Sequence, residues 1–157
     1  MLVQNLQNSF LVPQSGNNVV TLFITNNVVA GDLSLNPHFT ISALPDADGG
    51  ARTFDLIDFY FGCIIPTFQT GINLAGPCDI SVTGVKPNGD RVGEIPFSFA
   101  NTALTRKNPM ERANVAGRAP VGDYVGLSSV NITITRATLA ASLGVLSVDN
   151  VRHTNRC

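Results

Sequence analysis

Residues 53–63, TFDLIDFYFGC, carry two alternations of apolar residues that one flat strand cannot satisfy. Phe54 and Leu56 share one parity; Ile57, Phe59 and Phe61 share the other. Side chains of a strand alternate faces with a period of two, so either both faces are buried or the parity switches at a bulge. Asp55 and Asp58 argue against burial of both faces along the whole strand, because a buried carboxylate without a partner is strongly unfavourable. The expectation is a bend near Ile57 and Asp58, with Phe54 and Leu56 in the core before it and Phe59, Phe61 and Cys63 after it. A neighbouring subunit covering Tyr60 or Phe59 is the alternative.

The rest of the chain reads as strands. Stretches 18–24, 38–44, 78–85, 91–99, 129–135 and 143–151 are rich in Val, Ile, Thr and Phe and are separated by turn residues. Helical periodicity is confined to RATLAAS (136–142), a turn or two at most. KPNGD (86–90) is the clearest hairpin turn, with Pro87 setting the approach and Asn88 and Gly89 tolerating positive φ. Ile80 and Val82 share a face in its first arm, and Ile95, Phe97 and Phe99 do so in its second. Arms that are apolar on one side pack as two facing sheets, so the predicted class is all-β, a sandwich of two antiparallel sheets forming one domain over 1–157.

A chain of 157 residues buries roughly two thirds of its unfolded surface as a single domain. Charged residues are 13% and the net charge is -1, which gives no general polyanion-binding surface and makes nucleic acid an unexpected partner. The apolar runs VVTLFI and FYFGCII are far below the roughly 20 residues of a membrane helix. The opening MLVQNLQNSF lacks the basic flank, long apolar stretch and cleavage site of a secretory signal. Either a leader was removed before Met1 or the protein is not secreted.

Cys63, Cys78 and Cys157 permit three single bridges. Cys63 and Cys78 are the favoured pair, since one ends an apolar strand and the other begins the next, which would bring them together at the base of a long hairpin loop; two buried thiols are the alternative. A bridge there requires an oxidising compartment. Asn131 of NIT is a glycosylation sequon on a predicted strand.

FDLIDFYFGCII, CDISVTGVKPNGDRV, FSF, SVNITIT and LSVDNV, in this order over 53–151, resemble a large group of secreted fungal proteins with a galactose-binding-like jelly-roll fold. The resemblance implies secretion, a Cys63–Cys78 bridge and kinship with non-catalytic carbohydrate-binding modules. It also implies a structural calcium near the last strand, with Asp149 as a candidate ligand; a turn cap or a pairing with Arg152 is the competing reading of Asp149. The usual acidic partner near the N-terminus is missing, Gln4, Gln7 and Asn8 standing there. PDADGG places Asp46 and Asp48 at the spacing that opens a calcium loop, without the later bidentate Glu; a solvated turn is the competing reading.

No nucleophile elbow, zinc-protease helix or Walker loop is present; GVKPNGDR has the glycine spacing of the last but not its Lys-Ser/Thr. His38 and His153 are isolated imidazoles without metal-ligand spacing. No cofactor and no enzymatic activity are expected. Glycan binding needs an aromatic platform beside planar polar side chains. There is no Trp, and the loop TRKNPMERANVAGRAPVGDYVG makes Tyr124, with Arg106, Arg112 and Arg118, the best exposed candidate against a plain surface loop. The expected partners are therefore extracellular glycans or copies of the protein itself. The second, a coat or filament subunit, is suggested by low charge and the apolar segment FLVPQSGNNVVTLFITNNVVAG.

Overall fold

The computed structural model describes residues 2–5, 10–14, 18–23, 38–43, 52–66, 73–100, 107–137 and 145–156. In chain order its strands are β1 (Leu2–Asn5), β2 (Leu11–Val12), β3 (Asn18–Phe23), β4 (His38–Ser42), β5 (Thr53–Pro66), β6 (Asn73–Gly76), β7 (Cys78–Val85), β8 (Ile95–Phe99), β9 (Asn108–Pro109), β10 (Glu111–Asn114), β11 (Ser129–Ala137) and β12 (Val145–Arg156). One sheet has the order β1-β3-β12-β5-β10, with β6 also on β5; the other is β4-β11-β7-β8. Every pairing within these two sheets is antiparallel. Of the expected helical turn, Arg136 and Ala137 belong to β11, and the rest lies outside the described residues.

The inner faces follow the period-two pattern. Ile80 and Val82 on β7 and Ile95, Phe97 and Phe99 on β8 are buried against Phe59 and Phe61 of β5. Phe97 lies with its ring centroid 6.5 Å from both Phe59 and Phe61, and Phe99 lies 6.4 Å from Phe61, all edge to face. This aromatic cluster joins the sheets, each buried ring contributing about 1.5–3 kcal/mol of transfer free energy.

Cys63 and Cys78 are bridged, with their Cα atoms 6.1 Å apart. The bridge is not at the base of one hairpin. β5 continues past Cys63 to Pro66, β6 returns along it with Gly76 opposite Cys63, and β7 then opens the other sheet at Cys78. The disulfide therefore ties the two sheets together.

The β7–β8 turn forms as its residues predict. Lys86 N donates to Asp90 O at 2.8 Å, Gly89 N donates to Lys86 O at 2.9 Å, and Asn88 Oδ1 accepts from Asp90 N at 3.0 Å. Gly89 has φ 89°, and nothing lies within 4 Å of where its Cβ would be. Backbone strain alone then sets the effect of Gly89→Val, which we expect to destabilise by about 1 kcal/mol or more. Chemical denaturation reads this directly, and an unchanged midpoint would contradict it.

The parity conflict of β5 is resolved by bulges on both partners. Asp149 pairs with Tyr60, Arg152 with Asp58 and His153 with Leu56, so one extra residue falls on β12 and then one, Ile57, on β5. Asn150 takes φ 49° inside this irregularity. Phe54 and Leu56 are buried before the bend and Phe59, Phe61 and Cys63 after it, as the sequence requires. Past the bend the outer face is covered in part: Asp58 and Ile64 are buried there as fully as Phe59 is on the inner side, while Tyr60 between them stays partly exposed. A short parallel pair, β2 with β9, lies on that outer face. Its Leu11 sits over Gly62, where a Cβ would come within 2.5 Å of the leucine Cδ1.

Candidate functional site

Asp58 and Tyr60 are two residues apart on β5 and share the outer face of the larger sheet. The flanking strands supply their neighbours: Arg112 of β10 and Asp149 of β12 stand opposite Tyr60, and Arg152 of β12 stands opposite Asp58. Arg112 Nε donates to Asp58 Oδ2 at 2.8 Å, and Arg152 Nε donates to Asp58 Oδ1 at 2.6 Å. The Nη2 groups of both arginines also donate to Asp58 Oδ2. Asp58 is 0% exposed while the two arginine side chains are 46% and 51% exposed, so the carboxylate lies beneath its own counter-ions. The Arg152 hydrogen bond, opposed by burial and reinforced by Arg112, lowers the Asp58 pKa to about 2. Asp149 is also buried, its Oδ2 accepting from Gln14 N at 2.8 Å. The half-buried Tyr60 ring is thus flanked by fixed planar groups, with the cations outermost.

The expected Tyr124 platform is corrected. Tyr124 is 3% exposed, and its hydroxyl lies 2.6 Å from Val82 O and 2.8 Å from Gly93 O, donating to one carbonyl at a time. Burial raises its pKa to about 12. A ring whose polar tip is satisfied inside the sandwich presents no stacking face to a ligand. Nor is its loop a plain surface excursion. Leu56 N donates to Tyr124 O, Phe54 and Leu127 exchange backbone hydrogen bonds, and Ala116 N donates to Ile57 O, so residues 115–127 extend the edge of β5.

The arginines grouped with Tyr124 go elsewhere. Arg118 lies 4.9 Å over the Phe97 ring and donates to Pro96 O at 3.0 Å, closing the core at β8. Arg112 joins Asp58, and Arg106 lies outside the described residues. Asp58, Tyr60 and Arg152 are the members of this cluster that sequence reasoning did not group; the outward parity of Asp58 and Tyr60 beyond the bend was the available signal.

Asn131 is half-buried on β11 and its Oδ1 accepts from Thr40 Oγ1 at 2.7 Å. His153 is exposed and meets Phe54 edge-on at 6.0 Å. Asp46 and Asp48 lie outside the described residues. At Asp149, the candidate calcium ligand, Oδ2 accepts from Gln14 N, and among the described residues no three His, Cys, Asp or Glu come together.

With the geometry in place, comparison with known proteins adds one likeness. A scan against protein-family models and a search of curated proteins both find no match. Among solved structures the chain is similar to a family 28 carbohydrate-binding module described as specific for non-crystalline cellulose. Identity is 15% and the TM-score 0.45, over 90% of this chain and 77% of that one.

A second feature is an apolar hollow of about 350 Å3 beside the bend, lined by Leu56, Ile57, Ala119, Pro120, Val121 and Val125. Asp55 closes its polar end, accepting from Gly126 N at 2.8 Å and from Arg156 Nε at 2.6 Å. The Arg156 hydrogen bond, against desolvation, holds Asp55 below the ordinary carboxylate range. Val121 on the rim is fully exposed.

Proposed function

We propose that this chain is a secreted, non-catalytic glycan-binding β-sandwich whose binding face is the outer side of the larger sheet around Tyr60. The observation that carries this reading is the register of Tyr60 with Arg112 on one side and Asp149 on the other. An aromatic ring set among immobilised planar groups is what a pyranose needs, one face for its C–H bonds and fixed partners for its hydroxyls. The inter-sheet disulfide supports an oxidising, extracellular setting.

The test is retention of the protein on plant and fungal wall polysaccharides. Tyr60→Ala should weaken retention by about fivefold, since one stacked ring is typically worth on the order of 1 kcal/mol. Tyr124→Ala would report on folding instead. A folded protein retained by no polysaccharide on a broad panel would defeat the reading.

Self-assembly is the second reading, favoured by the exposed Val121 on its apolar hollow. Native mass measurement and light scattering separate the two: regular particles that ignore glycans support assembly, and a monomer excludes it.

A further inference from the structure

The arrangement around Asp58 points to a ligand more specific than a neutral sugar: we propose that the Arg112–Arg152 pair selects glycans bearing carboxylate or sulfate groups. The proposal rests on the glycan-binding reading and names the class of glycan. Both guanidiniums reach Asp58 through Nε and Nη2. The Nη1 group of each enters none of these contacts, and each arginine side chain is about half exposed. The two anions of the cluster are shielded, Asp58 by the arginines themselves and Asp149 by the strap that carries Gln14. Two half-exposed arginine side chains, each anchored to Asp58, therefore flank Tyr60.

Pre-organisation is the important part. Free arginine side chains lose rotamer freedom on gripping an anion, whereas these two are already immobilised by the carboxylate beneath them. A pyranose stacked on Tyr60 would bring an acidic substituent to the guanidinium edges, where charge-assisted hydrogen bonds are about twice as strong as neutral ones. The net charge of -1 supplies no long-range attraction. Selectivity therefore comes from this local contact, and the preference weakens as salt screens it.

Retention is compared on polygalacturonate, its fully methyl-esterified form, a sulfated galactan and a neutral β-glucan, at low and at moderate salt. The expected result is at least about tenfold stronger retention on one or both acidic polymers than on the ester and the β-glucan, falling with salt. Stronger binding to polygalacturonate identifies carboxylate as the ligand group, and stronger binding to the galactan identifies sulfate. Arg112→Lys and Arg152→Lys keep a cation over Asp58 while removing the planar fork, and each should lose most of the acidic preference with a near-parental melting curve.

Equal retention on all four polymers, still dependent on Tyr60, would overturn the acidic selectivity and leave glycan binding intact. Acidic retention unchanged in both lysine variants would overturn it too, placing the charge contact elsewhere. No retention on any polymer by folded protein would remove the glycan reading itself.

Discussion

The double variant Arg112→Ala/Arg152→Ala is expected to lose about 1.5–3 kcal/mol of stability, more than two surface ion pairs typically account for. The reason is what remains. Asp58 is 0% exposed beneath these two side chains, so their truncation removes both charged partners and leaves a carboxylate that has exchanged its guanidinium hydrogen bonds for water. Each single variant keeps one guanidinium and should lose much less, so the two losses should be strongly non-additive. Adding Asp58→Asn to the double variant should restore part of the stability, because the uncompensated charge disappears. Urea denaturation of the four proteins checks this. Small, additive losses would mean that the arginines act as solvated surface charges.

The same cluster predicts an acid limb. A carboxylate whose pKa is depressed on folding contributes stability at pH values above its ordinary 3.8, and that stability is lost as the pH falls toward about 2. In the double variant the guanidiniums that depress the pKa are gone, so this acid limb should be much reduced.

Opening the Cys63–Cys78 bridge has the second large expected effect. Its sequence separation of 15 corresponds to about 3 kcal/mol in the chain-entropy model. In a domain of this size that lowers the melting temperature by about 6–12 °C. The Cys63→Ala/Cys78→Ala variant and the reduced parent should melt together, both below the oxidised protein. Because the bridge joins β5 to β7, the loss should appear in the cooperative unfolding of both sheets. Melting of the reduced protein within about a degree of the oxidised form would refute the structural role.

Much of the fold was legible because strand parity is a local property. Ile80, Val82, Ile95, Phe97 and Phe99 declare their buried face by spacing alone, and Asn88-Gly89 declares the turn between them. The conflict between Phe54–Leu56 and Phe59–Phe61 likewise forced a bend, and the register shifts occur where the parity changes. β9 and β10 were hidden. They are short strands in a segment rich in proline and arginine, and β10 has one buried position among four, too few for a period to show.

The site was not legible, for a physical reason that Tyr124 and Asp58 share. Sequence spacing shows that Tyr124 stands in a loop and that Asp58 breaks an apolar run; it does not show which distant groups complete them. The acceptors offered to the Tyr124 hydroxyl lie 42 and 31 residues away, and the arginines on Asp58 lie 54 and 94 residues away. The amino-acid sequence by itself determined the all-β class, the paired apolar faces, the bend and the turn at Gly89, since each depends on neighbours within a few positions. Only the tertiary structure decided that Tyr124 turns inward, that the disulfide joins two sheets and that Tyr60 faces outward between charged strands. Those outcomes depend on long-range register, in which strands far apart in the chain come to share one face of a sheet.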